Sequence, residues 1–374
     1  MTSPQLSEAL EAVDITSMPR YLQHGYPWAD WDLLRDAAPV YWYAEGRPRF
    51  SPFWAVTRYD DVRFVSSHPE LFSNRGVIRV DTDNGLARLE TYKRKRAERY
   101  GWEPNVALDM IYTDRPEHLD LRSMAVRRFT PRAMNRLADH LDQMAQHFVA
   151  ELVAAARRAA PAPIDVVENL SVGLPIATIC GLLGVPVDTW PTIRRWSDQT
   201  LLTPDMSHPD VRPGETPSDV RRRAGQEYHE YRQQLIDRAR AAALAATATT
   251  ASGDDGGADG FDIVSRLAQA TVNGHPLDDQ RFPSANRDDR QFPDPYRFDL
   301  RRYPNAHVTF GHGEHFCLGA NLARREVAII FRELFKRLPD LEVTGDAVPL
   351  ASEGIPLVTG IKHLPVRFTP TARS

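Results

Sequence analysis

The chain has 374 residues, of which 42% are hydrophobic and 26% are charged, and its formal net charge is −4. This balance predicts a globular protein with a substantial core, and it excludes the strongly basic composition of a nucleic-acid binder. Only two cysteines occur, which argues against a disulfide framework, and no apolar run approaches the ~20 residues of a membrane helix. Residues 1–13 are polar and mixed, so we expect no signal peptide and a soluble, cytoplasmic protein.

The first 70 residues predict a strand pair flanked by short helices. A helix is expected near 31–37, and the aromatic and β-branched stretches 40–43 and 53–57 are typical of two paired strands. A further short helix is predicted to begin at Asp60, with Asp60 or Asp61 as its cap.

Residues 74–109 mix glycine, asparagine and many charges without a period, which predicts a long loop that could cover a pocket. From 115 to 159 the apolar residues recur at helical spacing, and Pro131 divides this stretch into two helices. The mostly apolar stretch 170–183 predicts a core helix, in which Cys180 is an ordinary core residue. Three more helices are predicted over 190–202, 222–243 and 318–338.

The segment 244–260 consists mainly of alanine, threonine, glycine and aspartate, and this low complexity predicts disorder. Residues 282–309 are rich in proline and aspartate and have no period, whereas 341–370 is predicted to form short strands. No internal repeat is evident, so we expect one domain over 1–374.

Cys317 lies in the most informative stretch of the chain, residues 310–324, which reads FGHGEHFCLGANLAR. Gly311, Gly313 and Gly319 allow positive φ and a close approach of the backbone to a side chain. A helix is predicted directly after the loop, and its N-terminus favours a thiolate, the form of cysteine that binds metals.

The neighbours of this cysteine suit a metal site, although other roles are open. Phe310 and Phe316 are expected to shield the sulfur from water, and His315 could reach an anionic group beside the metal. A lone cysteine is more often a buried core residue. A zinc site lacks a second cysteine at ligand spacing, and no cysteine-protease pattern supports a nucleophile.

The stretch resembles the haem-binding loop of the cytochromes P450, whose pattern is Phe-Gly-x-Gly-x-His-x-Cys-x-Gly-x-x-Leu-Ala-Arg. Every fixed position of that pattern is matched, by Phe310, Gly311, Gly313, His315, Cys317, Gly319, Leu322, Ala323 and Arg324. The resemblance implies a mainly α fold with small β-sheets, with Cys317 as the proximal ligand of haem iron. It also implies a monooxygenase for an apolar small molecule, in natural-product tailoring or lipid or steroid hydroxylation.

Two further stretches resemble the same family. Residues 114–122 are similar to its C-helix, which implies that His118 and Arg122 bind the haem propionates together with His315. The i, i+4 spacing puts His118 and Arg122 on one helix face, although by itself it would indicate a solvated basic pair. Residues 283–298 resemble the meander that precedes the cysteine loop. The resemblance also implies that Phe310 packs beside the thiolate.

The resemblance implies ferredoxin and ferredoxin reductase as electron donors, because the chain has no fused reductase domain and no membrane anchor. A basic docking patch is predicted, although each member could equally be a solvated surface residue. Its members are Arg127, Arg128, Arg324 and Arg325. The loop 74–109 and the helices around 190–240 would line the substrate pocket, and the protein is expected to be a monomer.

One part of the family pattern is missing. The usual P450 has a long distal helix with Ala-Gly-x-x-Thr and a later helix with Glu-x-x-Arg, and no suitable segment of this chain carries either. Residues 261–279 resemble the lead-in to the long helix, and Ser284 resembles a point well after Glu-x-x-Arg. A helix of ~30 residues would span ~45 Å, so residues 279–284 are predicted to be the junction of a missing segment.

Three explanations stay open at this stage. The enzyme could be longer than this sequence, it could be a deletion variant that has lost oxygenase chemistry, or it could be a P450-like partner protein without haem. The abrupt junction favours the first explanation. The intact loop around Cys317 counts against the third, since a partner protein has no need of a thiolate ligand.

Overall fold

The computed structural model describes residues 3–43, 52–74, 91, 94–95, 98, 110–127, 129–201, 206–249, 282–350 and 360–370. The chain forms two compact units. Unit 1 comprises residues 1–123, 272–318 and 354–357, and unit 2 comprises residues 124–271, 319–353 and 358–374. The prediction of one domain over 1–374 stays a prediction. Among the described residues, no helix is both long enough and apolar enough to cross a membrane.

The described parts of the chain are mainly helical, with short strands. The helices are α1 (Ser3–Glu11), α2 (Met18–His24), α3 (Trp28–Ala37), α4 (Tyr59–Ser67), α5 (Glu117–Val126), α6 (Pro131–Arg136), α7 (Ala138–Ala159), α8 (Gly173–Leu182), α9 (Trp190–Leu201), α10 (Pro217–Thr249), α11 (Phe282–Ala285) and α12 (Ala320–Arg337). The strands are β1 (Val40–Tyr43), β2 (Phe53–Val56), β3 (Ile164–Asp165), β4 (Glu342–Val343), β5 (Val348–Pro349), β6 (Ile361–His363) and β7 (Pro365–Arg367).

Unit 1 is built on the predicted strand pair. Strands β1 and β2 are antiparallel, with Val40 opposite Val56, and their inner side chains pack with Trp31 and Leu34 of α3. A second cluster joins Tyr59 and Val62 of α4 to buried residues from the later part of the chain, which are Ala285, Phe292 and Val308. This cluster places the segment before the cysteine loop against α4.

The predicted cap of α4 is wrong. The residue at the N-cap is Arg58, without a side-chain cap hydrogen bond, while Asp60 and Asp61 lie inside the first turn. Carboxylates in the first turn stabilise a helix through its dipole without capping it, so both positions still favour a helix here.

Unit 2 has α7 at its centre. Side chains of α7 pack with α8 and α12 in one cluster and with the small sheet in another. The sheet has the order β3-β7-β4, with antiparallel neighbours. The predicted break at Pro131 is confirmed, because Pro131 begins α6 and Thr130 caps it by accepting the Ala133 N–H. The single helix expected after Pro131 is wrong, since α6 ends at Arg136 and α7 begins at Ala138.

The helices predicted for 170–183, 190–202 and 318–338 are confirmed as α8, α9 and α12. Helix α10 is longer than predicted and runs to Thr249. Residues 244–249 continue this helix, because the stretch is rich in alanine, the strongest helix former, and low complexity alone does not oppose a helix. The predicted disorder of 244–260 stays a prediction. Residues 250–260 and nearly all of the predicted loop 74–109 lie outside the described residues.

Candidate functional site

The cysteine loop of unit 1 is closed by its own backbone. The Cys317 N–H donates to the Phe310 carbonyl oxygen at 2.8 Å, and Gly311 N–H donates to Val308 at 2.9 Å. Gly311 and Gly313 use the positive φ that glycine allows, with values of 75° and 71°. Gly319 has φ −82° and does not use this freedom, because it is the residue from which α12 begins.

The end of α4 is the reason for glycine at position 313. A Cβ atom at Gly313 would lie 2.0 Å from the backbone oxygen of Ser66, far inside van der Waals contact. The loop therefore approaches α4 more closely than any residue with a side chain would permit. The Cys317 side chain is exposed, so the expected shielding of its sulfur by Phe310 and Phe316 is not found.

Helix α5 brings two predicted residues to this loop. Arg122 Nη2 donates to the carbonyl oxygen of Phe316 at 2.6 Å, beside Cys317. His118 is fully buried, and its Nδ1 lies 2.8 Å from Glu314 Oε1. Both residues predicted from the i, i+4 spacing therefore contact the cysteine loop. Arg122 binds a backbone carbonyl oxygen, and His118 contacts the carboxylate of Glu314.

The rings of His118 and His315 lie side by side, with their centroids 4.0 Å apart. The Nε2 atom of each ring is buried and has no hydrogen-bond partner among the described residues. Burial lowers the pKa of both imidazoles, to about 4 for His315, where the neighbouring His118 acts in the same direction. Two buried polar atoms without partners at one place indicate a binding site for a further polar group.

Glu314 is the site residue that sequence analysis missed. Its side chain is 5% exposed, and its second oxygen, Oε2, lies 2.5 Å from Arg115 Nε. The family pattern leaves position 314 unspecified, and 196 residues separate Glu314 from His118. The sequence feature that could have indicated Glu314 is its acidic side chain, in a stretch otherwise made of glycine, aromatic and histidine residues.

His118, Glu314 and His315 each offer a ligand atom, and these atoms lie within 4.8 Å of one another. A metal ion could use such a set, but both Glu314 oxygens already face the donors Arg115 and His118. A guanidinium cation at 2.5 Å disfavours a second cation. A ring nitrogen that carries a proton and has no partner can instead donate to an anionic group, and a haem propionate is such a group.

The segment 283–298, predicted to resemble a meander, is anchored to the same unit. Asp288 Oδ2 accepts the Tyr59 N–H at 2.9 Å, and Ser284 Oγ donates to the Thr57 carbonyl at 3.1 Å. Both Ser284 and Asp288 are buried. These bonds fix the start of α4 to the chain that leads into the cysteine loop.

The predicted arginine patch lies partly outside the described residues, at Arg128. Arg127 and Arg324 are exposed, and Arg325 Nη2 donates to Asn135 Oδ1 at 2.5 Å. The docking role of this patch stays a prediction. The predicted junction 279–284 begins outside the described residues as well, and its described part contains the start of α11.

Comparisons with known proteins place these features in a family context. The sequence profile of the family described as Cytochrome P450 matches residues 282–363. A steroid C26-monooxygenase of Mycolicibacterium smegmatis is 30% identical over 91% of this chain and 90% of its own length. A methyl-branched lipid omega-hydroxylase of Mycobacterium tuberculosis is 27% identical over 90% of each chain.

A solved structure of a Mycobacterium marinum cytochrome P450 in complex with pseudoionone is similar in fold. Its TM-score is 0.70 at 23% identity, and the match covers 96% of this chain and 98% of that one.

The curated relatives contain positions that this chain lacks. The alignment with the lipid hydroxylase is 427 positions long, which exceeds the 374 residues of this chain by 53. At least that many positions of the relative therefore have no counterpart here.

Proposed function

This chain belongs to the cytochrome P450 family, and on that premise we propose that Cys317 is the thiolate ligand of its haem iron. Haem is the cofactor, and the activity is monooxygenation of an apolar small molecule. When bound, haem supplies the redox centre for activating dioxygen. The residues of this chain would bind the haem and orient it.

One observation carries the assignment of the site. An exposed cysteine on a tight glycine loop lies in the same unit as two histidines whose buried Nε2 atoms lack partners among the described residues. A thiolate ligand and a pair of sites for anionic groups are what haem requires from a protein. His118 and His315 would bind its propionates, and Gly311 and Gly319 would shape the loop.

Arg122 has a second role in this proposal. Its Nη2 donates to the Phe316 carbonyl, which ties α5 to the residue before Cys317. A guanidinium carries five N–H donors, so one bond to a carbonyl leaves others for a propionate. Phe310 is half-buried, and its carbonyl accepts the Cys317 N–H. This bond supports the proposal that Phe310 packs beside the thiolate.

The site is tested by carbon monoxide binding to the reduced protein. Wild type is expected to show the red-shifted Soret band of a thiolate-ligated complex, and Cys317→His the band of an imidazole-ligated complex with haem retained. The histidine variant is the sharper control, because it separates loss of the thiolate from loss of the cofactor. Identical bands for the two proteins would remove Cys317 from the coordination sphere.

We further propose a substrate with a branched alkyl end. A steroid C26-monooxygenase and a methyl-branched lipid omega-hydroxylase both act, by their names, at the end of a branched chain. The loop 74–109 and the helices α9 and α10 are predicted to line the substrate pocket. A steroid with a saturated branched side chain, a methyl-branched fatty acid and its unbranched isomer form a matched set of ligands.

The expected result is a substrate-induced spectral shift and a terminally hydroxylated product from the two branched ligands. The unbranched acid should bind at least about tenfold more weakly, since one lost methyl contact in an apolar pocket costs ~1–3 kcal/mol. Equal binding of both acids contradicts the substrate class but leaves the haem site intact. Ferredoxin and ferredoxin reductase are the proposed electron donors, and turnover should need both.

A second candidate is a haem protein that has lost oxygenase chemistry. The sequence has no Glu-x-x-Arg and no Ala-Gly-x-x-Thr, and its relatives have positions without a counterpart here.

Helix α12 carries an exposed apolar stripe. Its members Val327, Phe331 and Phe335 follow one another at i, i+4 and i+8 and are 55%, 50% and 61% exposed. Such an apolar stripe is unusual on a surface and is consistent with a missing covering segment.

Two measurements separate a longer enzyme from this second candidate. The intact mass of the protein from its native source should exceed 42.3 kDa if a segment is missing from the sequence. If the mass agrees with 374 residues and the haem-loaded protein consumes no oxygen with substrate and donors present, the degenerate haem protein is the correct alternative.

A further inference from the structure

We propose that Glu314 is a positioning residue for haem, which orients the His118 imidazole so that its Nε2 atom faces a haem propionate. The proposal rests on the proposed haem site. It adds a residue that the family pattern leaves unspecified, and it assigns that residue an action on His118 rather than on haem itself.

The hydrogen-bond geometry restricts what the His118 ring can do. Glu314 Oε1 lies 2.8 Å from Nδ1, and a carboxylate is only an acceptor, so Nδ1 carries a proton and donates it. The ring is thereby held in one orientation, and Nε2 is the atom left for another group. That atom is buried and has no hydrogen-bond partner among the described residues.

The charges around Glu314 explain how a carboxylate is tolerated beside an anionic ligand. Its Oε2 pairs with Arg115 Nε at 2.5 Å, so the guanidinium balances its charge. Burial lowers the pKa of the His118 imidazole, but the hydrogen bond and charge of Glu314 act in the opposite direction and favour the cation, which donates from both nitrogens. Glu314 and Arg115 together therefore add no net negative charge, while Glu314 favours donation from Nε2 to a propionate.

A carboxylate linked to a histidine that binds a further group is a general device for fixing ring orientation. Here the two partners come from distant parts of the chain, since Glu314 belongs to the cysteine loop and His118 to α5. The contact thus joins the two segments that carry the proposed propionate ligands. The ring of His315 lies against that of His118, with centroids 4.0 Å apart and planes 31° apart, and this contact limits rotation of the His118 ring.

The test compares haem dissociation from wild type and Glu314→Gln, by transfer to an excess of a haem-scavenging protein. Glutamine keeps the shape and an acceptor but loses the charge. Haem should dissociate about tenfold faster from Glu314→Gln, the loss expected for a charge-assisted hydrogen bond. In a His118→Gln background, the Glu314 substitution should have no further effect, because Glu314 acts through His118.

The control ligand is haem dimethyl ester, in which both propionate carboxylates are esterified and therefore uncharged. Its dissociation should be the same from wild type and Glu314→Gln within about twofold. The matched protein control is Asp288→Asn, since Asp288 is another buried carboxylate of unit 1 and bonds to Tyr59 and Arg290 rather than to His118. It should leave the ratio between haem and its ester unchanged.

Three results would overturn the proposal. The first is an unchanged rate of haem dissociation in Glu314→Gln. The second is slower dissociation, which would mean that Glu314 repels the propionates. The third is an equal response of haem and its ester, which would mean that Glu314 has only a structural role.

If Glu314→Gln does not fold, Arg115→Gln at the exposed partner replaces it. That variant should likewise release haem faster and spare the ester, and an equal response of both ligands counts against the proposal. If wild type itself binds no haem, the proposed function fails first, and this outcome is distinct from all the others.

Discussion

The two cysteines of this chain occupy opposite environments. Cys180 lies in α8, is 1% exposed, and burial raises the pKa of its thiol to about 11. Cys317 is exposed on a loop that two positive-φ glycines bend and the Phe310 carbonyl closes. The same side chain therefore fills a core in one place and is presented for ligation in the other, and the backbone around it decides which.

The largest expected effect concerns haem. Cys317→Ala should abolish the thiolate-ligated band of the reduced carbon monoxide complex, whereas Cys180→Ala should retain it at wild-type intensity per folded protein. Both variants are checked for folding by circular dichroism before the spectra are recorded. Loss of the band in Cys180→Ala, with folding intact, would falsify the division between the two cysteines.

The second effect concerns the glycine loop. Gly313→Ala should lower the free energy of unfolding by at least ~2 kcal/mol more than Gly25→Ala, measured by denaturant titration. The two glycines have nearly equal positive φ, 71° and 73°, so both substitutions put alanine at a φ that favours glycine. They differ in space, since an added Cβ meets the Ser66 oxygen at 2.0 Å in one case and nothing within 4 Å in the other. Equal losses would mean that the close approach is unimportant.

The third effect is a difference in thiol reactivity. In the haem-free protein at about pH 8, an alkylating reagent should modify Cys317 at least about a hundredfold faster than Cys180. A thiol with a pKa of about 11 is ionised to only about one part in a thousand at that pH, and only the thiolate reacts. Peptide mass spectrometry of timed samples measures both rates, and unfolding in denaturant should bring them together.

The smallest effect concerns stability, for which substitution of Cys180 is expected to matter more than substitution of Cys317. In haem-free protein, Cys180→Ser should cost ~1–2 kcal/mol of stability, because a hydroxyl is buried in an apolar helix interface. Cys317→Ser should change stability by less than ~0.5 kcal/mol, since that side chain is exposed. Thermal unfolding of both variants at one pH tests this, and a greater loss for Cys317→Ser would contradict it.

Much of this architecture follows from local sequence. Helices α7, α8 and α12 follow from apolar periodicity, and the strand pair β1–β2 from two β-rich stretches close together in the chain. The break before α6 follows from Thr130 and Pro131, whose capping and fixed φ act within a single turn. Each of these features depends on residues a few positions apart, which is why the sequence predicts them.

The ends of elements are less predictable for a physical reason. Helix α10 continues through an alanine-rich segment that composition alone classifies as low complexity. The start of α4 involves Arg58 rather than Asp60. The backbone of its next residue, Tyr59, is bound by Asp288, 229 residues away. Such boundaries depend on a balance between local propensity and distant contacts.

The cysteine loop likewise combines features that the sequence predicts with contacts that only the folded chain creates. The sequence by itself determined the haem-thiolate motif and the face shared by His118 and Arg122, because these are local relations of type and spacing. Only the tertiary structure decided that Glu314 binds His118 and Arg115 and that Gly313 touches Ser66. Those contacts join segments that are distant in the chain, and they exist only once the core of unit 1 has brought α4, α5 and the loop together.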